Sequence, residues 1–458
     1  MFIHWYTCIV IWSYRTILKQ HVSNSPGQEP EARQRRAWHP ASLSQGGVIL
    51  FLLLICLLLA ISARQIWRAW PAGPSSTHSA NAKTTATAPL QLPDGSPLSS
   101  FQLPAGHTVL YEQPDHITTV TTANASMHVL QTPGYRYNRA VPAIVTSNKE
   151  LIYSGAGIWR MDLAGGAARQ IATIPDDQVI TSLTASSDGT TLAWSSAPKN
   201  GTGSINIYAG KMEQTNLIYQ QSAAKCPCYR AFAFPRNTTS TLLLTNDRGD
   251  HRSAHYGLWT LDLSQGKQAQ PQSILSDAAQ QGPLALSQQT NTLLYSTFQG
   301  YVPMQEQNAP ADISSLSYAN SLSIASLKGA QTRPEKTQTI LPEQRDLENT
   351  AAYHWIATPQ LSADGQRLAY VGFSVNSQKY FPRQYALYLT DLHGSTTAAK
   401  QQLVVTSTAH YVELGSWLDE HTLTFYADNA LYALDLQDHT VARVANTGAY
   451  AHVFAVIE

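Results

Sequence analysis

From about residue 104 to its last residue the chain alternates apolar and polar positions in short runs broken by Gly, Asp, Asn or Ser. A period of two predicts strands with one buried face, and the small polar residues between them predict turns. The runs recur as a phrase. A polar turn leads into a strand ending in Leu-Ala-aromatic, as in Ser186-Ser-Asp-Gly-Thr-Thr-Leu-Ala-Trp194 and Ser362-Ala-Asp-Gly-Gln-Arg-Leu-Ala-Tyr370. A second strand ending in Asp-Leu follows, as in Gly157-Ile-Trp-Arg-Met-Asp-Leu163, Gly257-Leu-Trp-Thr-Leu-Asp-Leu263, Ala386-Leu-Tyr-Leu-Thr-Asp-Leu392 and Ala430-Leu-Tyr-Ala-Leu-Asp-Leu436.

A unit of several short strands repeated every 40–50 residues or so predicts the blades of an all-β propeller. With the strands of a blade lettered A (innermost) to D, copies of the A–B turn and B strand fall at Pro104–Tyr111, Thr146–Tyr153, Ser186–Trp194, Pro235–Leu244, Ser287–Tyr295, Ser362–Tyr370 and Leu418–Tyr426. The count is seven blades, with six or eight left open. The first copy has no A strand before it, whereas Ala449–Ile457 is an alternating run left over at the other end. The C-terminal run is therefore expected to supply strand A of the first blade, which closes the ring without a free edge.

Upstream the pattern changes. Gly46–Ala63 is an 18-residue uncharged run, long enough at about 1.5 Å per residue to nearly cross a hydrocarbon core of about 30 Å. Trp67 and Trp70, with Arg64 and Arg68, stand where interfacial anchors belong. The expected organisation is a cytoplasmic segment at 1–45, a transmembrane helix at 46–67, a flexible Pro/Ser/Thr/Ala-rich linker at 68–100 and the propeller at 101–458. That makes a single-pass cell-membrane protein with its propeller outside the cytoplasm. Cleavage after Ala63 as a signal peptide is the rival reading. Cys8 and Cys56 sit in apolar N-terminal runs as fillers.

Charged residues are 13% of the chain and the formal net charge is zero, so the electrostatic footprint expected of a nucleic-acid partner is missing. No Gly-x-Ser-x-Gly, P-loop, dinucleotide fingerprint, His-Glu-x-x-His or EF-hand loop occurs. Paired acids such as Asp176-Asp177 and Asp419-Glu420 read as solvated turn residues, and Trp159, Trp194, Trp259 and Trp417 as core between blades.

The Ser-x-Asp-Gly-x-x-Leu-Ala-aromatic phrase, with Trp/Tyr-x-x-Asp-Leu after it, resembles the propeller repeats of the TolB and prolyl-oligopeptidase type. The resemblance covers roughly 104–457 and is clearest around Asp188-Gly189 and Asp364-Gly365. Asn237-Thr-Thr and Gln288-Gln-Thr-Asn291 depart from it by replacing the Asp-Gly turn. It implies a ring fold without the hydrolase domain, and it names no ligand, since such repeats serve binding proteins and enzymes alike.

Alternating strand directions put A–B and C–D turns at one end of the ring and B–C and D–A connections at the other. The first set is tight, as in Ser187-Asp-Gly189, Ala164-Gly-Gly166, Ser264-Gln-Gly266, His393-Gly-Ser395 and Gln437-Asp-His439. The second set contains the long segments Ser195–Gly203, Asn246–Tyr256, Ser296–Ala319, Gly372–Gln384 and Pro342–Tyr353. Long loops on a rigid scaffold are where binding residues gather. Tyr301, Tyr353, Trp355, Tyr380 and Phe381 are the candidate ligand-binding aromatics of this face, and packing of the same rings against one another stays open. The expected role is non-catalytic binding of a protein, peptide or glycan. A structural envelope role like that of TolB, and a propeller enzyme, are the alternatives.

Cys226-Pro-Cys228 lies just before strand A of the fourth blade, and His251 and His255 lie in that blade's B–C connection. Two thiolates and two imidazoles suit a tetrahedral zinc ion, so this set is the candidate metal site and zinc the one candidate cofactor. In an oxidising compartment the same two cysteines could instead form a disulfide across one residue, and free structural thiols are the third reading.

Overall fold

The computed structural model describes residues 103–248, 254–276, 282–303, 315–328, 333–343, 355–375, 382–392, 400–406, 412–427, 429–438 and 440–458. Among them the strands form seven antiparallel sheets, six of four strands and one of six. Blade 1 carries strand B at Thr108–Glu112, C at Ile117–Thr121 and D at Met127–Val129, and its A strand is the C-terminal His452–Ile457. Thr108 pairs with Ile457 and Glu112 with His452, so the ring closes through both ends of this region as the leftover strand predicts. Blades 2 to 4 begin with A strands Ile144–Val145, Gln178–Ala185 and Tyr229–Ala233, and blades 5 to 7 with Gly282–Ser287, Trp355–Leu361 and Val412–Trp417.

The six-stranded sheet departs from expectation. The Ser296–Ala319 connection of blade 5 contains a hairpin, Gln299–Pro303 with Ser315–Ala319. Ala319 bridges to Ile356, which joins the hairpin to strand A of blade 6. The connection is long in sequence because it folds back as two strands.

The repeated phrase has a local cause. Ser186 Oγ donates to Asp188 Oδ1, which also accepts from the Thr190 amide at 3.0 Å, while the Thr191 amide donates to Ser186 Oγ at 3.0 Å. Ser362, Asp364, Gln366 and Arg367 repeat the same bonds. Gly189 and Gly365 both stand at φ +69°, and a Cβ on either would press on the turn of the preceding blade, at Thr146 Cβ (2.9 Å) or Thr290 Cγ2 (2.7 Å). The glycine thus serves the turn and the approach of adjacent blades together. The degenerate copies reach a left-handed conformation with Asn237 at φ +58° and Asn291 at φ +54°, which Asn tolerates best among residues with a Cβ.

Side chains alternating on each blade pack against the next. Val109, Leu151, Val371, Leu423, Phe425 and Val453 are buried in one shared cluster, and the Trp194 ring stacks on Tyr208 at 3.9 Å in another. Trp194 and Trp259 lie in such clusters, and Trp159 and Trp417 pack against the edge of one. No helix among the described residues is long and apolar enough to cross a membrane. The apolar run Gly46–Ala63, the cytoplasmic segment and the linker lie outside the described residues.

Candidate functional site

The long-connection end of the ring holds a buried polar network assembled at the seam where the ring closes. Glu112 is the last residue of its strand, carried inward by Val109, Leu110 and Tyr111, and is fully buried. Its Oε1 accepts hydrogen bonds from Tyr135 Oη and the Ala143 amide, both at 2.8 Å. Its Oε2 has no hydrogen-bond partner among the described residues. Burial penalises the ionised carboxylate and pushes the group up to about 7, with nearby His452 pulling it back only in part.

Beside it, Glu413 is the second residue of strand A of blade 7 and is likewise buried. Glu413 Oε2 accepts from Tyr450 Oη at 2.7 Å and from an Arg139 guanidinium nitrogen at 3.1 Å. Its Oε1 lies 2.8 Å from His452 Nδ1. Burial works against a charged His452, but the charge and hydrogen bond of Glu413 outweigh it, and the imidazole is raised above its ordinary value. Tyr137 completes the network with its hydroxyl 3.0 Å from that of Tyr450. Two carboxyls, a guanidinium, an imidazole and three phenols therefore share one low-dielectric site, where paired charges and hydrogen bonds interact strongly.

Tyr137 also borders a surface cleft of about 700 Å³, whose lining includes Arg136, Asn138, Asp176, Gln178 and Lys199. These come from the D–A connections of blades 1 and 2, the first residue of strand A of blade 3 and that blade's B–C turn, so the cleft opens on the long-connection face. A second buried group lies at blade 4. Arg230, fully buried at the start of strand A, donates to the Ala254 carbonyl and to His255 Nδ1 (3.1 Å). Thr245 Oγ1 lies 3.0 Å from the same nitrogen. Burial, with Arg230 adding to it, holds His255 well below its ordinary pKa and therefore neutral.

Of the sequence-derived candidates, Trp355 is 6% exposed, its ring 4.5 Å edge-on from Tyr318, so it braces the hairpin against blade 6. Tyr301 is in the first hairpin strand. Tyr353, Tyr380, Phe381 and His251 lie outside the described residues. Cys226 and Cys228 are joined as a disulfide with Cα atoms 4.4 Å apart, within the span a disulfide bridges. Both sulfurs are committed to each other, and His255 Nδ1 faces Arg230. No group of three or more His, Cys, Asp or Glu side chains among the described residues is placed to hold a metal.

Sequence reasoning missed Glu112, Glu413, His452 and Arg230, which lie at or next to strand ends, and Tyr450 just before the last strand, all of which read as ordinary blade positions. One local signal was available. Tyr135-Arg-Tyr-Asn-Arg139 concentrates rings and guanidinium groups in a connection flanked by Pro133 and Pro142, where small polar residues are the norm.

No family model matches the chain, and no curated protein does. Among solved structures it is similar to the periplasmic gluconolactonase of Pseudomonas aeruginosa, at 11% identity over 77% of this chain and 99% of that one, with a TM-score of 0.45. It is also similar to the oligogalacturonate lyase of Vibrio parahaemolyticus, at 12% identity over 72% and 82%, with a TM-score of 0.44. A candidate TolB of Agrobacterium tumefaciens is a further neighbour, at 13% identity over 66% and 91%, with a TM-score of 0.36. The propeller assignment rests on the strand pairing described above.

Proposed function

We propose that this protein is a membrane-tethered, extracytoplasmic binding module that engages a protein, peptide or glycan partner, without catalysis, through its long-connection face. The observation that carries the reading is the gathering of features at that face. The long connections, the cleft beside Tyr137 and the buried charged groups around Glu413 and Arg230 all belong to it. Buried ionic networks hold strand starts and connections in one arrangement, and a rigid rim limits the entropy lost on binding. Tyr301, Tyr353, Tyr380 and Phe381 supply aromatic contact in this reading, with Trp355 bracing the hairpin and Arg136 and Lys199 adding charge. The tether is Gly46–Ala63 followed by the linker.

Capture of partners from membranes with the full-length chain tests the face. Alanine at Tyr301, Tyr353, Tyr380 and Phe381 together, combined with Lys199→Glu, is expected to abolish capture of every specific partner. Retention of all of them by a folded variant would place binding elsewhere. Deletion of 46–67 is expected to release the protein into the soluble fraction, and membrane association that survives it would overturn the tether.

A further inference from the structure

Cys226 and Cys228 occupy the connection from strand D of blade 3 (Gln214–Ser222) to strand A of blade 4, at the long-connection end of the ring. Their disulfide joins no two elements that the backbone does not already join. Chain-entropy stabilisation grows with the length of chain a disulfide encloses, and this one spans a sequence separation of 2, so it adds little to stability. The two residues also differ in access. Cys226 is exposed, whereas Cys228 is 3% exposed and packs with Ala197 and Ile205. Exposed cysteines react with thiols and buried ones are inert, so an incoming sulfur meets Cys226 first.

The backbone around the pair is held by bonds that do not involve sulfur. The Cys228 amide donates to Asn246 Oδ1 at 2.9 Å, and the Cys228 carbonyl accepts from the Asp247 amide at 3.3 Å. Gln221 Nε2 donates to the Pro227 carbonyl, which also accepts from the Tyr229 amide at 3.1 Å. On the blade 3 side the Ala223 amide donates to the Gly203 carbonyl at 2.9 Å, and the Lys225 amide to the Ser222 carbonyl at 3.0 Å. Breaking the S–S bond therefore leaves both cysteines in place. Free Cys228 stays seated, because a thiol packs as a small apolar group.

We infer that Cys226–Cys228 is a thiol–disulfide exchange site, open at Cys226 to the thiol of a small molecule or of another protein's cysteine. The attacking sulfur bonds to Cys226 Sγ as the Cys226–Cys228 bond breaks. Cys228 Sγ leaves with the electron pair and ends as a thiol carrying the attacker's proton. A second thiol then attacks the incoming sulfur of the mixed disulfide, and Cys226 leaves as a thiol. Two thiols become one disulfide, and their two electrons and two protons reside on Cys226 and Cys228. The exchange is stoichiometric, and it needs neither the partner nor the tether proposed above.

The purified full-length protein tests this, with reduced glutathione as the small thiol and a peptide bearing two cysteines as the protein thiol. Trypsin cuts after Lys225 and Arg230, so one short peptide reports this pair apart from Cys8 and Cys56 by mass spectrometry. Without denaturant, one or both thiols are expected to open the bond within minutes, with melting moving by less than about 3 °C. Oxidised glutathione should then close it again. Opening by glutathione alone identifies a small thiol as the reactant, and opening by the peptide alone a protein cysteine. Cys228→Ser lacks the second thiol and is expected to trap glutathione as a mixed disulfide at Cys226, whereas Cys226→Ser should react at Cys228 at least about tenfold more slowly. The assignment fails if the bond opens only in denaturant, if the opened pair does not close again, if opening lowers melting by about 3 °C or more, or if Cys228 takes glutathione as readily as Cys226.

Discussion

The two ends of the ring are built on different principles. At the short-turn end the turns are closed by local bonds such as Ser186 to Asp188, and the Asp188 and Asp364 carboxylates are exposed. At the long-connection end the polar groups are buried and pair across great sequence distance. Glu413 receives Arg139 and Tyr450, while Glu112 receives Tyr135. The first arrangement is repeated and forgiving. The second joins both ends of the ring at the seam, and each member depends on the others.

The sharpest way to break this contrast is to remove Glu413. Glu413→Ala leaves Arg139 and His452 without their shared carboxylate and is expected to cost roughly 3–5 kcal/mol of unfolding free energy in urea. Glu413→Gln should cost less, because it keeps the acceptor for Tyr450. If the alanine variant lost no more than a turn variant at the other end, the contrast would collapse.

The pH dependence of stability comes next, and the two ends carry opposite signs. Glu112 binds its proton in the folded state up to about 7 but in the unfolded chain only to its ordinary 4.5. Between those values the folded state holds a proton that the unfolded chain releases, so stability falls as pH rises, by roughly 3 kcal/mol in all. The raised His452 acts in the same direction, its contribution present at acid pH and lost as pH climbs through its folded value. At the other end Asp188 and Asp364 are lowered, first by the hydroxyls of Ser186 and Ser362. Their contribution is present above the ordinary aspartate value and lost as pH falls. Denaturation midpoints measured from pH 5 to 8 should therefore decline for the parent and flatten in Glu112→Gln; a slope unchanged by that substitution would clear Glu112 of the effect.

Smaller effects sharpen the account of the turns. Gly189→Ala must adopt φ +69° and push Thr146, and is expected to cost about 1–2 kcal/mol by thermal unfolding. Asn237→Gly, at φ +58°, should be within about 0.5 kcal/mol of the parent. Smallest among the losses, Asp188→Ala removes acceptors of local bonds in an exposed turn and should cost about 1 kcal/mol. A loss at Asp188 matching that at Glu413 would mean the turns are not independent after all.

Much of this architecture was legible in advance, because propeller strands are encoded by a period of two and turns by residues with special backbone freedom. The Asp-Gly copies, the pairing of Ala449–Ile457 with the first blade and the division of connections between the two ends could all be read from local pattern. The hairpin inside Ser296–Ala319 was not seen, since two short strands broken by Pro and Gln carry the same composition as a loop. The seam network was missed for a deeper reason. Tyr137 and Tyr450 are 313 positions apart, and no spacing rule links them.

By itself, then, the sequence determined the kind of element, its repetition as blades and which end each connection leaves from, because those follow from interactions between residues a few positions apart. Only the tertiary structure decided which polar side chains meet and which lose water. It buried Glu112 and Glu413 beside Arg139 and His452. Burial and charge pairing belong to neighbours in space, and the ring chooses those neighbours only when its last strand joins its first blade.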